Sequence, residues 1–533
     1  MEGRTAAQPC ARRRRRRTRA RARRGCRVER RARGRRRPAG RAPAGRGSPG
    51  HRPFPGDETR LEGLRPDRPG PLMCGIFGVH AAGRDVSRLT YFGLFALQHR
   101  GQEAAGIAVA DNGRLTALRD LGLVSQVFDE QKLRGLQGQV AIGHNRYSTT
   151  GSSQWSNAQP LVQHGRVRTV ALGHNGNLVN AAELREELHA QDVTLHSTSD
   201  SELIAALIAN DPAPLEDAVA SAMSRLEGAF SVVALSEGKL MAFRDAHGFR
   251  PLCLGRLGGD RVVASETCAF DLVGAAFDRE IGHGELVVVD EQGVRAIQAI
   301  DPAADGALCI FEFFYLARPD SRLDGVEVHG ARVRMGERLA REAPADVDLV
   351  LSVPDSGTPA AIGFARASGL PFGEGFVKNR YVGRTFIQPD QDLRRQGIRL
   401  KFNPLAEVAG RRVVIVDDSI VRGNTTQQIV QMLFDAGATE VHVRISSPPV
   451  IDQCYYGIDL ADPTELIAST RTVEEVRQHI GATSLAYLSL DGLQAATQRP
   501  ESELCRACLT REYPTPIPEP GTHAKLRFEA ARV

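Results

Sequence analysis

The sequence changes character at residue 73, and this change decides which part of the chain can fold. Residues 1–72 contain 24 Arg, no Lys and 6 acidic residues, whereas the other 461 residues contain 45 basic and 57 acidic ones. The first stretch therefore carries +18 and the rest −12, although the whole chain sums to +6. Because the part that can form a core is acidic, the positive total does not indicate a nucleic-acid-binding protein.

Residues 1–73 are predicted to be a disordered, Arg-rich extension. The stretch is mostly Arg, Ala, Gly and Pro, with six arginines in a row at 12–17 and no hydrophobic periodicity. One interpretation is an RNA-binding arm, since dense arginine binds phosphates. We favour a removed propeptide or a start codon assigned too far upstream, because of the residue that follows Met73, the first methionine after Met1.

The remaining sequence predicts a soluble cytoplasmic protein of two or three domains. Hydrophobic residues make up 42% of the chain, which is ample for buried cores. No run approaches the roughly 20 consecutive apolar residues of a membrane helix. The chain has nine cysteines and no apolar signal segment, which favours a reducing compartment over a disulfide scaffold.

Cys74 follows Met73 and opens the apolar run Cys74–Val79, which predicts a buried strand. Removal of Met73 would give Cys74 a free α-amino group. An amine with a pKa of about 7.7 to 8.0 can act as the general base for its own thiol. The hexapeptide alone is more typical of a buried structural cysteine at a strand start than of a catalytic one.

Four polar clusters follow this cysteine, and each by itself is compatible with a turn. They are Leu97–Glu103, Gly143–Thr149, Gly173–Asn177 and Ser199–Glu202. In this order after Met-Cys-Gly, they resemble the glutamine amidotransferase domain of the N-terminal-nucleophile class over residues 74–308. The resemblance implies a four-layer α-β-β-α fold.

The resemblance also implies roles for individual residues of this domain. Cys74 would be the nucleophile, Arg146 would bind the α-carboxylate of glutamine, and Asp200 would bind its α-ammonium group. The Asn175 side chain and the Gly176 backbone N–H would stabilise the oxyanion of the tetrahedral intermediate. The alternative for the Asn-Gly pair is a plain type I′ turn.

From residue 309 onwards, strand-like runs alternate with polar loops and helical runs. Residues 348–353 precede the loop Pro354–Thr358, and residues 412–416 precede the loop Asp417–Thr426. This layout predicts an α/β domain with a parallel sheet flanked by helices, over residues 309–515, followed by a tail at 516–533. Ligands of such folds bind at the carboxyl ends of the strands.

The loop Asp417–Thr426 suits a phosphorylated sugar. Two carboxylates can accept hydrogen bonds from vicinal hydroxyls, and the residues after them offer hydroxyl groups and backbone N–H groups at a helix N-terminus. It is not a Walker A loop, because the Gly-Lys-Ser/Thr ending is missing. An acidic helix cap would explain one Asp but hardly the whole decapeptide.

This loop resembles the phosphoribosyl diphosphate signature of type I phosphoribosyltransferases. By that resemblance, Asp417 and Asp418 hold the ribose hydroxyls and help to position Mg²⁺, and Ser356 is a further metal-associated residue. The other residues implied in binding phosphoribosyl diphosphate are Asp355, Gly357, Lys378, Arg380, Tyr381, Ser419, Arg422, Gly423, Asn424, Thr425 and Thr426.

The basic, glycine-containing stretches 378–386 and 394–401 lie between the two phosphate loops in sequence. A charge run is usually only a solvated face. These stretches resemble the flexible loop that closes over phosphoribosyl diphosphate in amidophosphoribosyltransferases. Closure would exclude water and form a path for ammonia.

Four cysteines, Cys309, Cys454, Cys505 and Cys508, suit either tetrahedral zinc or a 4Fe-4S cluster, and spacing does not choose between them. The iron-sulfur branch of the amidophosphoribosyltransferases has its ligands at matching points, so the resemblance implies one structural 4Fe-4S cluster per subunit. Cys253 and Cys268 are expected in the core, and Cys10 and Cys26 lie in the extension.

The sequence as a whole, over residues 74–515, resembles the amidophosphoribosyltransferases. The resemblance implies conversion of glutamine and phosphoribosyl diphosphate to 5-phosphoribosylamine in purine biosynthesis, with feedback inhibition by purine nucleotides and a dimeric or tetrameric assembly. A glucosamine-6-phosphate synthase shares the first domain type, but the loop Asp417–Thr426 argues against it. The alternative is a non-catalytic redox regulator that binds phosphoribosyl diphosphate and uses the cluster as an oxygen sensor. It is disfavoured by the retained Cys74, Arg146, Asn175 and Asp200.

Overall fold

Two antiparallel sheets form the first half of the molecule. The computed structural model describes residues 73–147, 151–379, 402–460 and 463–518, and all of them belong to one compact unit. The seven-stranded sheet has the spatial order Ala276–Glu280, Cys253–Leu257, Asp260–Ala264, Gly75–His80, Val140–Arg146, Ala104–Asp111 and Arg114–Leu121. The six-stranded sheet has the order Gly293–Gln298, Glu285–Asp290, Lys239–Arg244, Gly228–Ser236, Thr169–Leu178 and Leu161–His164.

Side chains alternate along these strands and so bury both faces of each sheet. In Gly75–His80, Ile76 packs in the core between the two sheets, whereas Phe77 and Val79 pack under the helix Val86–Ala96 on the outer face. Three further helices cover the seven-stranded sheet: Val124–Val127, Glu130–Arg134 and Cys268–Val273. The helices Ala181–Ala190, Ser201–Asn210 and Leu215–Met223 cover the six-stranded sheet. The predicted four-layer arrangement is confirmed.

A parallel four-stranded sheet forms the second half, in the order Leu349–Ser352, Arg412–Asp417, Glu440–Ile445 and Ser484–Tyr487. Val414 and Val416 face one core, and Val413 and Ile415 face the other. Helices Val328–Glu342, Thr358–Ser368 and Leu490–Thr497 pack on the first side, and Asn424–Asp435 and Val473–Ile480 on the second. The predicted parallel sheet flanked by helices is confirmed.

Short elements join the two halves. Strand Leu308–Cys309 pairs in parallel with Leu504–Cys505, so the end of the chain returns to the start of the second half. A π-helical turn, Glu312–Leu316, follows the first of these strands. The other short elements are the strands Arg322–Leu323, Val326–Glu327, Phe376–Lys378 and Phe402–Pro404, the helices Ile467–Thr470 and Ala507–Thr510, and the 3₁₀ turns Trp155–Asn157, Ala406–Val408, Pro463–Glu465 and Glu501–Glu503. Among the described residues, no helix is long and apolar enough to cross a membrane.

Candidate functional site

Cys74 lies at the start of the central strand of the seven-stranded sheet. The residue is buried, and its Sγ donates a hydrogen bond to the carbonyl oxygen of Tyr147 over 3.4 Å. Burial raises the pKa of the Cys74 thiol to about 11, against the lowering effect of the Tyr147 hydrogen bond and the Arg146 charge. The thiol is therefore neutral near pH 7 in this environment, and its use as a nucleophile requires a base.

Arg146 and Asp200 both lie within electrostatic reach of this thiol, since each charge shifts the Cys74 pKa. Gly75 lies opposite Asn145 in an antiparallel strand pair, so Arg146 lies at the end of its strand next to Cys74. Its guanidinium is buried, with Nη1 3.5 Å from Glu103 Oε2. Asp200 caps the helix Ser201–Asn210 and accepts a hydrogen bond from the backbone N–H of Leu178 over 3.0 Å. The structure thus brings a cation and an anion to the predicted nucleophile.

Asn175 and Gly176 lie on the strand Thr169–Leu178, close to the residue that binds Asp200. Asn175 is fully buried, and neither atom of its side-chain amide has a hydrogen-bond partner among the described residues. Leaving a buried amide unpaired costs about 1–3 kcal/mol, so such a group points to a ligand that completes it. At Gly176, an added Cβ would lie 2.0 Å from the Ala229 carbonyl oxygen, so only glycine fits.

A buried ion network behind Cys74 was not predicted from the sequence. Arg100 Nε donates to the Cys74 carbonyl oxygen over 3.0 Å. The same guanidinium pairs with Glu266 and, over 2.7 Å, with Glu312. Both carboxylates have no exposed surface. Burial raises the pKa of Glu266, but His99 and Arg100 outweigh it and hold that pKa well below its usual range. The only sequence signal was Arg100 within a polar cluster, because its partners lie 166 and 212 residues away.

In the second half, the two predicted phosphate loops meet at the carboxyl ends of neighbouring strands. Leu349–Ser352 pairs directly with Arg412–Asp417. At Gly357, an added Cβ would lie 2.7 Å from the Val416 carbonyl oxygen and 3.1 Å from Asp417 Cα, so the close approach requires glycine. The Ser356 side chain forms a hydrogen bond with Asp418. The three predicted metal-associated residues are therefore adjacent.

Asp417 and Asp418 are both buried in this edge of the sheet. Burial, reinforced for Asp417 by the neighbouring carboxylate, raises the pKa of both carboxyl groups. Ser419 Oγ donates to Asp418 over 2.7 Å. A positively charged group bound here would lower both pKa values, because it favours the ionised form of both acids.

The remaining predicted binding residues lie in the loop and helix that follow these acids and in the segments 355–357 and 378–381. The helix Asn424–Asp435 begins after Gly423, which has a left-handed φ of 81°. Thr426 is buried in its first turn, whereas Asn424 and Thr425 are exposed. Two cations among the predicted binding residues are already paired: Lys378 with Asp355, and Arg422 with Glu465 over 2.7 Å. Arg380 and Tyr381, like most of the predicted flexible loop, lie outside the described residues.

Four free cysteines gather where the C-terminal segment meets the domain junction. Cys309 and Cys505 are direct partners in the short parallel sheet. The carbonyl oxygen of Cys508 accepts a hydrogen bond from Ile451 N over 2.9 Å, three residues before Cys454. Burial raises the pKa of the Cys309 thiol to about 11, with a further contribution from Cys454, and also raises those of Cys505 and Cys508. Cys253 and Cys268 are buried in the core between the seven-stranded sheet and its helices, as predicted.

The described part of the chain contains no group of three or more His, Cys, Asp or Glu side chains that is arranged to hold a metal ion. Proximity among the four thiols is nevertheless evident, since Cys309, Cys454 and Cys505 all act electrostatically on Cys508. The Arg250 guanidinium lies beside them, with Nη2 3.9 Å from Cys454 Sγ. These observations show four neighbouring thiols next to a buried cation.

Comparison with known proteins agrees with this geometry. A model described as a glutamine amidotransferase domain matches residues 144–271. The amidophosphoribosyltransferase of Mycobacterium tuberculosis is 54% identical over 459 residues, which cover 84% of this chain and 87% of the relative. That of Bacillus subtilis is 46% identical over 451 residues, covering 83% and 94%.

Solved structures lead to the same group. The glutamine phosphoribosylpyrophosphate amidotransferase of B. subtilis, in complex with ADP and GMP, superposes with a TM-score of 0.79 at 44% identity and covers 84% of this chain and 98% of its own. A structure described as the allosteric regulatory enzyme of purine biosynthesis gives a TM-score of 0.81 at 44% identity, covering 85% and 99%. Sequence and fold both agree over both halves of the molecule, and the chain belongs to the amidophosphoribosyltransferase family.

Proposed function

We propose that this chain converts glutamine, phosphoribosyl diphosphate and water to 5-phosphoribosylamine, diphosphate and glutamate, with residues 74–308 and 309–515 as its two catalytic domains. The observation that carries the proposal is the unpaired, buried Asn175 amide. It lies on the strand whose Leu178 N–H binds Asp200, and Asp200 and Arg146 both act electrostatically on Cys74. Such a set offers a nucleophile, two opposite charges for an amino acid, and a donor for an oxyanion.

In the glutamine half-reaction, Cys74 Sγ attacks the side-chain amide carbon. Because the buried thiol has a pKa of about 11, its proton goes to the α-amino group that Cys74 gains once the preceding residues are removed. Asn175 Nδ2 and Gly176 N–H stabilise the oxyanion, Arg146 binds the α-carboxylate, and Asp200 binds the α-ammonium group. The C–N bond breaks to release ammonia, and water hydrolyses the thioester to glutamate.

In the second half-reaction, ammonia reaches the other site internally and displaces diphosphate from C1 of the ribose. Asp417 and Asp418 accept hydrogen bonds from the ribose hydroxyls. Ser419–Thr426 binds the 5′-phosphate at the start of the helix Asn424–Asp435, and Asp355–Gly357 binds the diphosphate. Lys378, Arg380, Tyr381 and Arg422 complete the phosphate contacts. The proposal for Lys378 and Arg422 requires them to leave their carboxylate partners.

The residues at this edge fit Mg²⁺. Ser356, Asp417 and Asp418 offer oxygen ligands only, and Mg²⁺ prefers one or two carboxylates plus substrate phosphates to a cage made of protein alone. When bound, the ion would neutralise charge on the diphosphate leaving group.

The four cysteines fit a 4Fe-4S cluster. Such clusters are held by four thiolates, and in a cubane each thiolate binds a different iron, so the sulfur atoms lie further apart than ligands of one ion. The buried Arg250 beside Cys454 compensates negative charge on the thiolates. Cys309, Cys454, Cys505 and Cys508 would hold the cluster in a structural role that ties the C-terminus to the domain junction.

Regulation, assembly and location are proposed on separate grounds. The B. subtilis structure contains ADP and GMP, which supports purine nucleotides as feedback inhibitors of this chain. We expect a homodimer or homotetramer, as the family resemblance implies. A cytoplasmic location is supported by the seven described cysteines, all of which are free thiols.

Two variants test the function. Cys74→Ala is expected to abolish diphosphate release with glutamine but to retain it with ammonia, whereas Asp418→Asn is expected to lower both. Diphosphate release is measured with each nitrogen source for the chain that begins at Cys74. Unchanged glutamine-dependent activity in Cys74→Ala would refute the mechanism. A wild type that neither hydrolyses glutamine nor releases diphosphate would favour the non-catalytic, phosphoribosyl diphosphate-binding redox regulator.

A further inference from the structure

The segment Cys454–Gly457 packs directly against the strand that carries the proposed oxyanion donors. Asn177 Nδ2 donates a hydrogen bond to the Tyr455 carbonyl oxygen over 2.9 Å. At Gly457, an added Cβ would lie 2.8 Å from Gly176 C and 3.0 Å from Gly176 Cα, so the two backbones are in contact. The contact joins segments 278 residues apart in sequence.

The other side of this segment is fixed by a buried cation. Arg250 donates to the Tyr456 carbonyl oxygen from Nε over 2.9 Å and from Nη2 over 2.6 Å. The Tyr456 ring stacks on Phe249 at a centroid distance of 4.1 Å. Both Tyr455 and Tyr456 are buried. The segment is therefore held on one side by Arg250 and Phe249, and on another it contacts the Gly176 backbone and the Asn177 side chain.

The strand itself has limited support where the donors lie. On one side, Thr169–Leu178 pairs with Gly228–Ser236 along residues 171–178. On the other side, Leu161–His164 pairs only with residues 169–172. Within the described chain, positions 175–177 therefore have a strand partner on one side only. A second support matters there, because misplacement of a reacting group by about 1 Å can cost roughly 100-fold in rate.

We propose that Cys454–Gly457 is a positioning element for the oxyanion donors Asn175 and Gly176. Because Cys454 is also a proposed cluster ligand, the element joins the cysteine site to the glutamine site through backbone contacts. The inference deepens the proposed glutaminase function and rests on it. The backbone of residues 455–457 fixes the strand, and the strand fixes the amide and N–H that stabilise the tetrahedral intermediate.

The test is Gly457→Ala, with Gly481→Ala as its matched control. Gly457 has a φ of +104° and Gly481 a φ of +73°, so alanine is strained at both positions, but an added Cβ at Gly481 would meet nothing within 4 Å. Gly457→Ala is expected to lower kcat for glutamine hydrolysis at least about 10-fold. The KM for glutamine should change less than about threefold, because the proposed carboxylate and ammonium contacts are not displaced. Ammonia-dependent diphosphate release and iron content should match those of Gly481→Ala.

A binding measurement separates positioning from general damage. The probe is glutamate γ-semialdehyde, to whose aldehyde carbon the Cys74 thiol adds. A C–S bond forms, the C=O π bond breaks to leave a C–O single bond, and the thiol proton is transferred to that oxygen. The adduct oxygen occupies the proposed oxyanion site, whereas free glutamate forms no such adduct. Gly457→Ala is expected to weaken binding of the aldehyde about 10-fold and to leave glutamate binding unchanged.

The proposal is overturned if Gly457→Ala and Gly481→Ala share the same kcat and the same aldehyde affinity. If Gly457→Ala yields no folded protein, Asn177→Ala decides the question with the same readouts, since it removes the hydrogen bond to Tyr455 without adding atoms. An unaltered kcat in Asn177→Ala then overturns the proposal. Failure of the proposed function itself is recognisable, because wild type and Gly481→Ala would then hydrolyse no glutamine.

Discussion

Arg100 and Glu312 form a buried ion pair across the two halves of the molecule, with Arg100 Nη2 2.7 Å from Glu312 Oε1. Neither side chain has more than 1% of its surface exposed. Arg100 also donates to the Cys74 carbonyl oxygen, and Glu312 lies 3.7 Å from Arg250. The backbone of the proposed nucleophile is therefore tied, through two charged pairs, to the segment that contains Cys454.

Substitution of Arg100 by Met is expected to destabilise the protein by about 3–5 kcal/mol, because Glu266 and Glu312 would remain buried without their shared partner. Thermal and urea unfolding of the chain measure the effect. Arg88→Met is the control, since the Arg88–Glu130 pair is exposed and its loss should leave the midpoint nearly unchanged. Equal midpoints for the two variants would contradict a stabilising role for the buried pair.

Asn175→Ala is expected to lower kcat for glutamine hydrolysis about 100- to 1000-fold with little change in the KM for glutamine. The amide has no partner to lose among the described residues, so the substitution removes an interaction made chiefly in the transition state. Steady-state glutaminase assays give both constants. A rise in KM with an unaltered kcat would assign Asn175 to ground-state binding instead.

Alkylation of Cys74 should depend on pH differently in two forms of the chain. With residues before Cys74 retained, the thiol pKa of about 11 predicts that the rate with iodoacetamide rises about tenfold per pH unit from 7 to 9. In a chain that begins at Cys74, the α-amine acts as base, and the rate should level off near its pKa of about 8. Identical profiles would exclude the amine as the base.

Glu280 gives the fold a specific dependence on pH. Burial raises the pKa of this carboxyl group to about 7, against the lowering effect of Arg244, and Asp324 N donates to it over 3.3 Å. The folded state thus holds a proton that the unfolded chain releases near pH 4.3. Stability from this group is complete below about pH 4.3 and is lost as pH rises towards 7 and above.

Glu280→Gln should therefore be more stable relative to wild type at pH 8 than at pH 5, by about 2–3 kcal/mol. Unfolding of both proteins at the two pH values measures the difference. The exposed Glu291→Gln substitution serves as the control and should show no such difference. If the free energy of unfolding changes between pH 5 and pH 8 by the same amount in wild type and in Glu280→Gln, the assigned pKa is contradicted.

The elements that the sequence predicted are those whose signals are local. Residues 349–351 and 413–416 are apolar runs before polar loops, and both lie in neighbouring parallel strands. The order of polar motifs after Cys74 likewise led to Arg146 and Asp200, whose charges both act on the Cys74 thiol. It also led to Asn175, which lies on the strand whose Leu178 binds Asp200. Periodicity and motif spacing report such features directly.

The buried network could not be predicted, because its information lies in long-range packing. Arg100, Glu266 and Glu312 are separated by more than 40 residues, and each by itself reads as a solvated charge. The contact between Gly457 and Gly176 has no side chain to signal it. Only the three-dimensional fold shows that these residues meet.

The central claim is that glutamine hydrolysis in the first domain supplies the ammonia used in the second. The most direct measurement is the ratio of glutamate to diphosphate formed by the chain that begins at Cys74, with glutamine as the sole nitrogen source and phosphoribosyl diphosphate and Mg²⁺ present. We expect one glutamate per diphosphate, and loss of both products in Cys74→Ala. Diphosphate released without glutamate, or glutamate released without diphosphate, would contradict it.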